Sequence, residues 1–183
     1  MLIGISGKAG SGKDTVAAII KALLHGEGQK VKRFSMADPL KRGCAELFGI
    51  DINDFYDRDK KEEVNKYWGK SPRELLIFVG TDLLRDQFDE RVWVKRASLE
   101  INKLIERGYV VIIPDIRFDN EVDFVEEFGG VMINVIRPNG SDVKEIKHKS
   151  EAGVKRTDKT IDILNDSDLD SLQQKIKNII SML

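Results

Sequence analysis

The chain is short of several residue types that would announce a chemistry. Its one cysteine, Cys44, excludes an intramolecular disulfide and any cysteine-cluster metal site, and reads as a small core residue on a helix. There are two histidines. His148 has no second histidine at ligand spacing, so it reads as a polar residue and not as a metal ligand. No stretch approaches the roughly 20 apolar residues that cross a bilayer. The N-terminal apolar run stops at a glycine-rich segment and lacks a basic leader, so the cytosol is the expected location. A formal net charge of -1 supplies no global field for a nucleic-acid polymer. Repeats and low-complexity linkers are absent. What remains is 183 residues, 41% hydrophobic and 33% charged, a composition that suits one folded domain with a substantial core.

The informative segment is Gly7-Lys8-Ala9-Gly10-Ser11-Gly12-Lys13-Asp14-Thr15. It follows the apolar run Leu2-Ile3-Gly4-Ile5 and precedes a helical stripe of Val16, Ile19, Ile20, Leu23 and Leu24. Strand, glycine loop and helix in that order make a phosphate-binding P-loop. Glycines let the backbone take positive φ and approach a ligand closely, and successive N–H groups form an anion nest. The helix N-terminus adds unpaired N–H groups and the positive end of its dipole. Lys13 is placed to bridge β- and γ-phosphates. One position departs from the pattern: Asp14 stands where Ser or Thr usually binds magnesium. A carboxylate there can ligate magnesium directly or through water, or it can simply complement the helix dipole. The Thr15 hydroxyl is within reach of an α-phosphate.

Strands are expected at residues 2–6, 31–35, 109–114, 131–136 and 160–164. The run Tyr109-Val110-Val111-Ile112-Ile113 fits a central parallel strand buried on both faces. A last helix over 168–183 carries Leu169, Leu172, Ile176, Ile179, Ile180 and Leu183 at helical spacing, with Ser167 and Asp170 as a capping box. Alternating strands and helices predict a three-layer α/β/α fold with a central parallel five-stranded sheet, whose ligands bind beyond the carboxyl ends of the strands. Two regions interrupt the alternation. Residues 37–107 form a helical insertion that includes a charged stretch over 57–63. Residues 137–159 are polar and lysine-rich, with Pro138, Asn139 and Gly140; this stretch reads as a solvated loop or, given the P-loop upstream, as a lid. The expected organisation is a single domain over 1–183, with its core in 1–36, 108–136 and 160–183, an insertion at 37–107 and a lid at 137–159.

Further segments bear on what receives the phosphate: Phe34-Ser35-Met36-Ala37-Asp38-Pro39-Leu40-Lys41, Ser71-Pro72-Arg73-Glu74, Gly80-Thr81-Asp82-Leu83-Leu84-Arg85, Val92-Trp93-Val94-Lys95, Asp115-Ile116-Arg117, Arg137-Pro138 and His148-Lys149-Ser150-Glu151. In this order, behind the G-x-x-x-S-G-K-D-T loop, they resemble the bacteriophage-type deoxynucleoside monophosphate kinases of the P-loop nucleoside monophosphate kinase group. The resemblance covers most of the chain. It implies a P-loop kinase fold with an acceptor-binding insertion and a short lid. The implied reaction takes ATP with Mg²⁺ and a deoxynucleoside monophosphate to ADP and the diphosphate. It further suggests a homodimer; the charge and hydropathy already lead to no nucleic-acid or membrane partner being expected, and the cytoplasmic location would be the host's if the chain is of phage origin.

The roles that follow are expectations. Residues 7–15 and Arg137 bind ATP. Phe34, Ala37, Asp38, Lys41, Arg73, Thr81, Arg85, Trp93 and Arg117 bind the acceptor. Lys13, Arg85 and Arg117 are catalytic, and Asp14 and Asp115 hold the metal, through water at Asp115. Arg73 and Arg85, about three helical turns apart, would share one face. Bland readings stand beside these: Arg73 as helix-surface charge, Arg85 paired with Asp82 or Asp89, and Trp68 and Trp93 as core packing instead of base stacking. Kinases of phosphomevalonate, dephospho-coenzyme A, shikimate or sugars are alternatives, though the arginines of the insertion favour a phosphorylated acceptor. A non-catalytic nucleotide switch normally carries an Asn-Lys-x-Asp guanine-reading element. Asn165-Asp166-Ser167-Asp168 lacks the lysine.

Overall fold

The computed structural model describes residues 1–138 and 148–183. Residues 139–147, which include Asn139, Gly140 and the middle of the expected lid, lie outside the described residues. The described chain forms two compact units, Met1–Ser35 with Ala97–Leu183, and Met36–Arg96.

The first unit is built on a parallel sheet of β1 (Leu2–Ser6), β2 (Val31–Arg33), β3 (Val110–Ile113), β4 (Val131–Ile136) and β5 (Thr160–Leu164), ordered β2-β3-β1-β4-β5. β1 and β3 are buried along their whole length, as their unbroken apolar sequences predict. On one face α1 (Lys13–Gly26) and α6 (Leu169–Ile180) close a core of Ile3, Ile5, Ile20, Ile112, Ile133, Ile163 and Ile176 with their neighbours. On the other, α5 (Asp119–Glu127) brings Val125 onto β1. Gly4 makes room for it, since a Cβ there would stand 2.9 Å from Val125 Cγ2 and 2.5 Å from Met132 Sδ. β1 and β4 are neighbours whose outgoing connections run to opposite edges of the sheet. That is the arrangement that opens a crevice at strand ends.

The elements differ from expectation at their ends. β3 stops at Ile113 because Pro114 has no N–H for the ladder. It begins at Val110 because the Tyr109 N–H turns back to Leu104 O at 3.0 Å. β2 is an edge strand that ends at Arg33, although Phe34 N still donates to Ile112 O at 2.9 Å. The capping box expected at Ser167 and Asp170 does not form. Asp168 is the cap instead, accepting from Ser171 N at 2.8 Å, because a carboxylate there reaches the N3 amide directly. α6 ends at Ile180, which leaves Leu183 outside it.

The second unit is helical. α2 (Asp38–Phe48), α3 (Pro72–Ile77) and a π-helical segment Phe78–Phe88 surround Cys44, Ile50, Phe55, Leu75 and Val79. α4 (Val92–Glu106) begins in this unit and continues into the first. α3 starts on a capping box. The Ser71 hydroxyl accepts from Glu74 N, and the Glu74 carboxylate accepts from Ser71 N at 2.7 Å. Cys44 is the buried helical residue expected, with its thiol pushed up to about 11 by desolvation, which keeps it unreactive near neutral pH. The π segment changes the count of residues per turn, with bonds to the fifth residue instead of the fourth. The 3.6-residue spacing that would set Arg73 and Arg85 on one face therefore does not apply.

Ile133 lies at the centre of the first unit's core and is fully buried. Ile133→Ala is expected to lower the unfolding free energy by about 2–5 kcal/mol, measured by urea denaturation. A loss below about 0.5 kcal/mol, the usual range of surface substitutions, would contradict this placement.

Candidate active site

The glycine loop is built as the spacing requires. Gly7, Gly10 and Gly12 hold φ of 141°, 74° and 99°. A Cβ on Gly7 would sit 2.5 Å from Val135 O and 2.8 Å from Ser11 Oγ, so the loop touches β4 backbone to backbone. Gly12 precedes the first turn of α1 and offers no side-chain cap, which leaves the helix amides open to an anion. The Lys13 ammonium folds back over the loop and donates to Gly7 O at 2.6 Å and Lys8 O at 2.8 Å. Asp14 is ion-paired with Arg33 of β2.

Asn165, which sequence reasoning weighed only as part of a guanine-reading element, steadies the loop from the β5–α6 connection by donating to Ser11 O at 2.9 Å. A Cβ on Gly12 would stand 2.5 Å from its amide nitrogen. No local motif marks this contact, which depends on tertiary folding.

A cavity of about 390 Å³ opens beside the loop, lined by Gly7, Lys8 and Ser11, and by Arg117, Arg137 and Arg156 among others. Four cationic side chains and no carboxylate line it among the described residues. The Ser11 hydroxyl is buried with no hydrogen-bond partner among the described residues. A buried orphan hydroxyl is costly unless a ligand completes it. Arg117 is oriented twice. Its N–H donates to the buried Glu121 carboxylate at 2.8 Å, and its guanidinium donates to Ser150 O at 3.1 Å. His148 Nδ1 accepts from Ser150 N at 3.2 Å, a local structural bond that suits its reading as a polar residue.

The described part of the expected lid is fastened to α5. Lys155 N donates to Asp119 at 2.7 Å, and Lys155 Nζ and Thr157 Oγ1 reach Asp123 and Glu126. Asp115 accepts from the Ser35 hydroxyl at 2.7 Å. Phe34 is buried in this same unit.

The expected acceptor residues of the second unit are held by their own neighbours. Ala37 precedes α2, and Asp38 opens it. Asp38 accepts from the Tyr56 hydroxyl at 2.9 Å and lies 3.7 Å from Lys41 Nζ, and that ammonium stands 3.9 Å from the centre of the Tyr56 ring. Burial raises the Tyr56 phenol above its ordinary value, and the bond to Asp38 adds to the shift. Tyr56 carried no motif of its own and went unread in the sequence. Arg73 bonds Glu62 at 2.7 Å. Thr81 and Arg85 are buried on the π segment, where Arg85 donates to Glu90 O at 2.8 Å. Trp93 Nε1 donates to Gly80 O at 2.9 Å. Trp68 packs edge-on against Phe48 and Tyr67.

The profile of the deoxynucleotide monophosphate kinases matches residues 54–176, more than half of the chain. The chain belongs to the deoxynucleotide monophosphate kinase family. A protein of Acanthamoeba polyphaga mimivirus that carries the same family name is 35% identical over 175 residues, covering 90% of this chain and 86% of that one. The deoxynucleotide monophosphate kinase of Enterobacteria phage T4 is 37% identical over 114 residues, 62% of this chain and 46% of the phage protein. Among solved structures, the Mycobacterium tuberculosis APS kinase in complex with AMPPNP and APS aligns over 98% of this chain and 96% of its own, with a TM-score of 0.52 and 14% identity. That likeness concerns the fold. No helix among the described residues of this deoxynucleotide monophosphate kinase family member is long and apolar enough to cross a membrane. No group of three or more His, Cys, Asp or Glu residues fit to hold a metal occurs among them either.

Gly7→Ala is expected to weaken ATP binding by at least tenfold, about 1.4 kcal/mol, because the new methyl must displace the Val135 carbonyl or straighten the loop. Calorimetric titration with ATP and Mg²⁺ measures it. Unchanged affinity would show that loop and strand are not in contact.

Proposed function

We propose that this family member transfers the γ-phosphate of ATP to a deoxynucleoside monophosphate. The observation that carries the reading is the anion cup: the glycine loop, over which Lys13 folds, on one side of a cavity, a Ser11 hydroxyl on its wall with no partner among the described residues, and arginines along that wall. The phosphate of the acceptor is largely ionised near neutral pH, with a second pKa of about 6. No strong general base is then needed, and catalysis rests on positioning and charge stabilisation. Family membership favours this reading over the small-molecule kinases and the non-catalytic switch.

In this reading Gly7 to Lys13 hold the β- and γ-phosphates, the Thr15 hydroxyl meets the α-phosphate, and Arg137 contacts the donor. Asp38, Lys41, Arg73, Thr81 and Arg85 receive the acceptor with Ala37, Phe34 and Trp93, and Arg117 acts on the transferring group. Arginine suits the task because its planar fork donates in pairs to phosphate oxygens.

The donor set fits magnesium, which takes one or two carboxylates and completes its shell with phosphate oxygens and water. Asp14 and Asp115 would supply the carboxylates, Asp115 through water. When bound, the ion neutralises charge that develops on the transferring phosphate. The chain's own residues carry the rest: they orient two polyanions in line and hold them apart from solvent.

Incubation with ATP, Mg²⁺ and each common deoxynucleoside monophosphate in turn is expected to yield ADP and the matching diphosphate for at least one of them. Tight ATP binding without turnover on any monophosphate would overturn the proposal. Lys13→Met should cut turnover by about 100-fold or more with the fold intact, read by coupled ADP assay and circular dichroism. Arg85→Ala should raise the acceptor KM or lower kcat more than it changes ATP affinity; the opposite split would move Arg85 to the donor side.

A further inference from the structure

Three strand residues that sequence reasoning passed over stand in one row. Ser6 of β1 is in register with Asn134 of β4, and Asn134 with Asp162 of β5. Side chains alternate along a strand. Ile5, Ile133 and Ile163 next to them face the apolar core, so the row lies on the opposite face of the sheet. Its members are joined in sequence. Ser6 Oγ donates to Asn134 Oδ1 at 3.4 Å, and Asn134 Nδ2 donates to Asp162 Oδ1 at 2.8 Å. The other Asp162 oxygen accepts from Arg156 Nη1 at 2.7 Å. Arg156 lines the same cavity as Gly7, Lys8 and Ser11.

An exposed Arg–Asp pair adds little to stability, and this one has side chains 59% and 39% exposed. The strength of that pair therefore does not account for a polar row between strands whose neighbouring residues Ile5, Ile133 and Ile163 face the apolar core. Orientation does. A guanidinium carries five N–H donors in a rigid fork. Asp162 takes one of them and so restrains the group, whose further donors suit an anion in a cavity that has no carboxylate on its wall among the described residues.

We propose that Arg156 is a phosphate-binding residue of the donor site, aimed by the Ser6–Asn134–Asp162 row. The assignment rests on the reading of the loop as an ATP site and adds a residue to it. Asp162 and Asn134 are positioning residues that act through Arg156.

The test uses the full chain, with AMPPNP and Mg²⁺ titrated by calorimetry and steady-state KM measured for both substrates. Arg156→Ala is expected to raise the AMPPNP Kd and the ATP KM by roughly 10- to 100-fold, the loss of a charge-assisted bond or two, with the acceptor KM and the melting temperature unchanged. Arg156→Lys, which keeps the charge but not the fork, should fall between wild type and Ala; it also serves if the Ala variant does not fold. Asp162→Asn should weaken AMPPNP binding in the wild-type chain and add nothing in the Arg156→Ala chain. Equal AMPPNP affinity in wild type and Arg156→Ala, a loss confined to the acceptor KM, or additive effects of the two substitutions would overturn the proposal. If wild type phosphorylates no monophosphate while Arg156→Ala still loses AMPPNP affinity, the acceptor reading fails and the Arg156 assignment stands.

Discussion

The contact between Gly7 and the Val135 carbonyl is the constraint on which the unit that carries the glycine loop depends. There is no space for a side chain between them, so the turn after β1 is pressed against the last residues of β4. The parallel register then brings Ser6 beside Asn134, and both connections leave the sheet at the same place. Asn165 holds the far side of the loop through Ser11 O. Held from two sides, the loop keeps Gly7, Lys8 and Ser11 on the wall of one small cavity. Little ordering is left to be done when an anion arrives, which is the benefit of preorganisation.

The helical unit uses another device. Its cations sit against neighbours that limit their motion: Lys41 between a carboxylate and a ring, Arg73 on Glu62, Arg85 under the Glu90 carbonyl. Long flexible side chains lose substantial rotamer entropy when they grip a ligand. Restraining them beforehand moves part of that cost into folding. The π segment serves the same end. It carries Gly80 against Leu40, with no room for a Cβ at 2.4 Å, and holds Thr81 and Arg85 in the interior.

Much of this was legible in the chain. The P-loop, the buried strands and the helical stripes each depend on residues close in sequence, so local pattern sufficed. Strand ends were less legible because they turn on single bonds, such as the Tyr109 N–H captured by Leu104. The cap of α6 was misplaced by one residue because Ser167 and Asp168 are both good caps and only tertiary geometry selects between them. The contacts of Asn165, Asn134 and Asp162 were invisible for a deeper reason. Their meaning comes from strand register, which pairs positions far apart in sequence. Arg156 could have been suspected only from its charge, a weak signal in a chain that is one-third charged.

The ion pair between Asp14 and Arg33 joins the first turn of α1 to the edge strand. Asp14 occupies a place where a neutral hydroxyl is usual in P-loops, and its charge would oppose a bound polyphosphate; Arg33 offsets that charge from outside the loop. A relative with Ser or Thr at position 14 has no charge to offset, and its position 33 is released from that duty. The two sites are therefore expected to covary across the family, as a single electrostatic solution inherited or abandoned together.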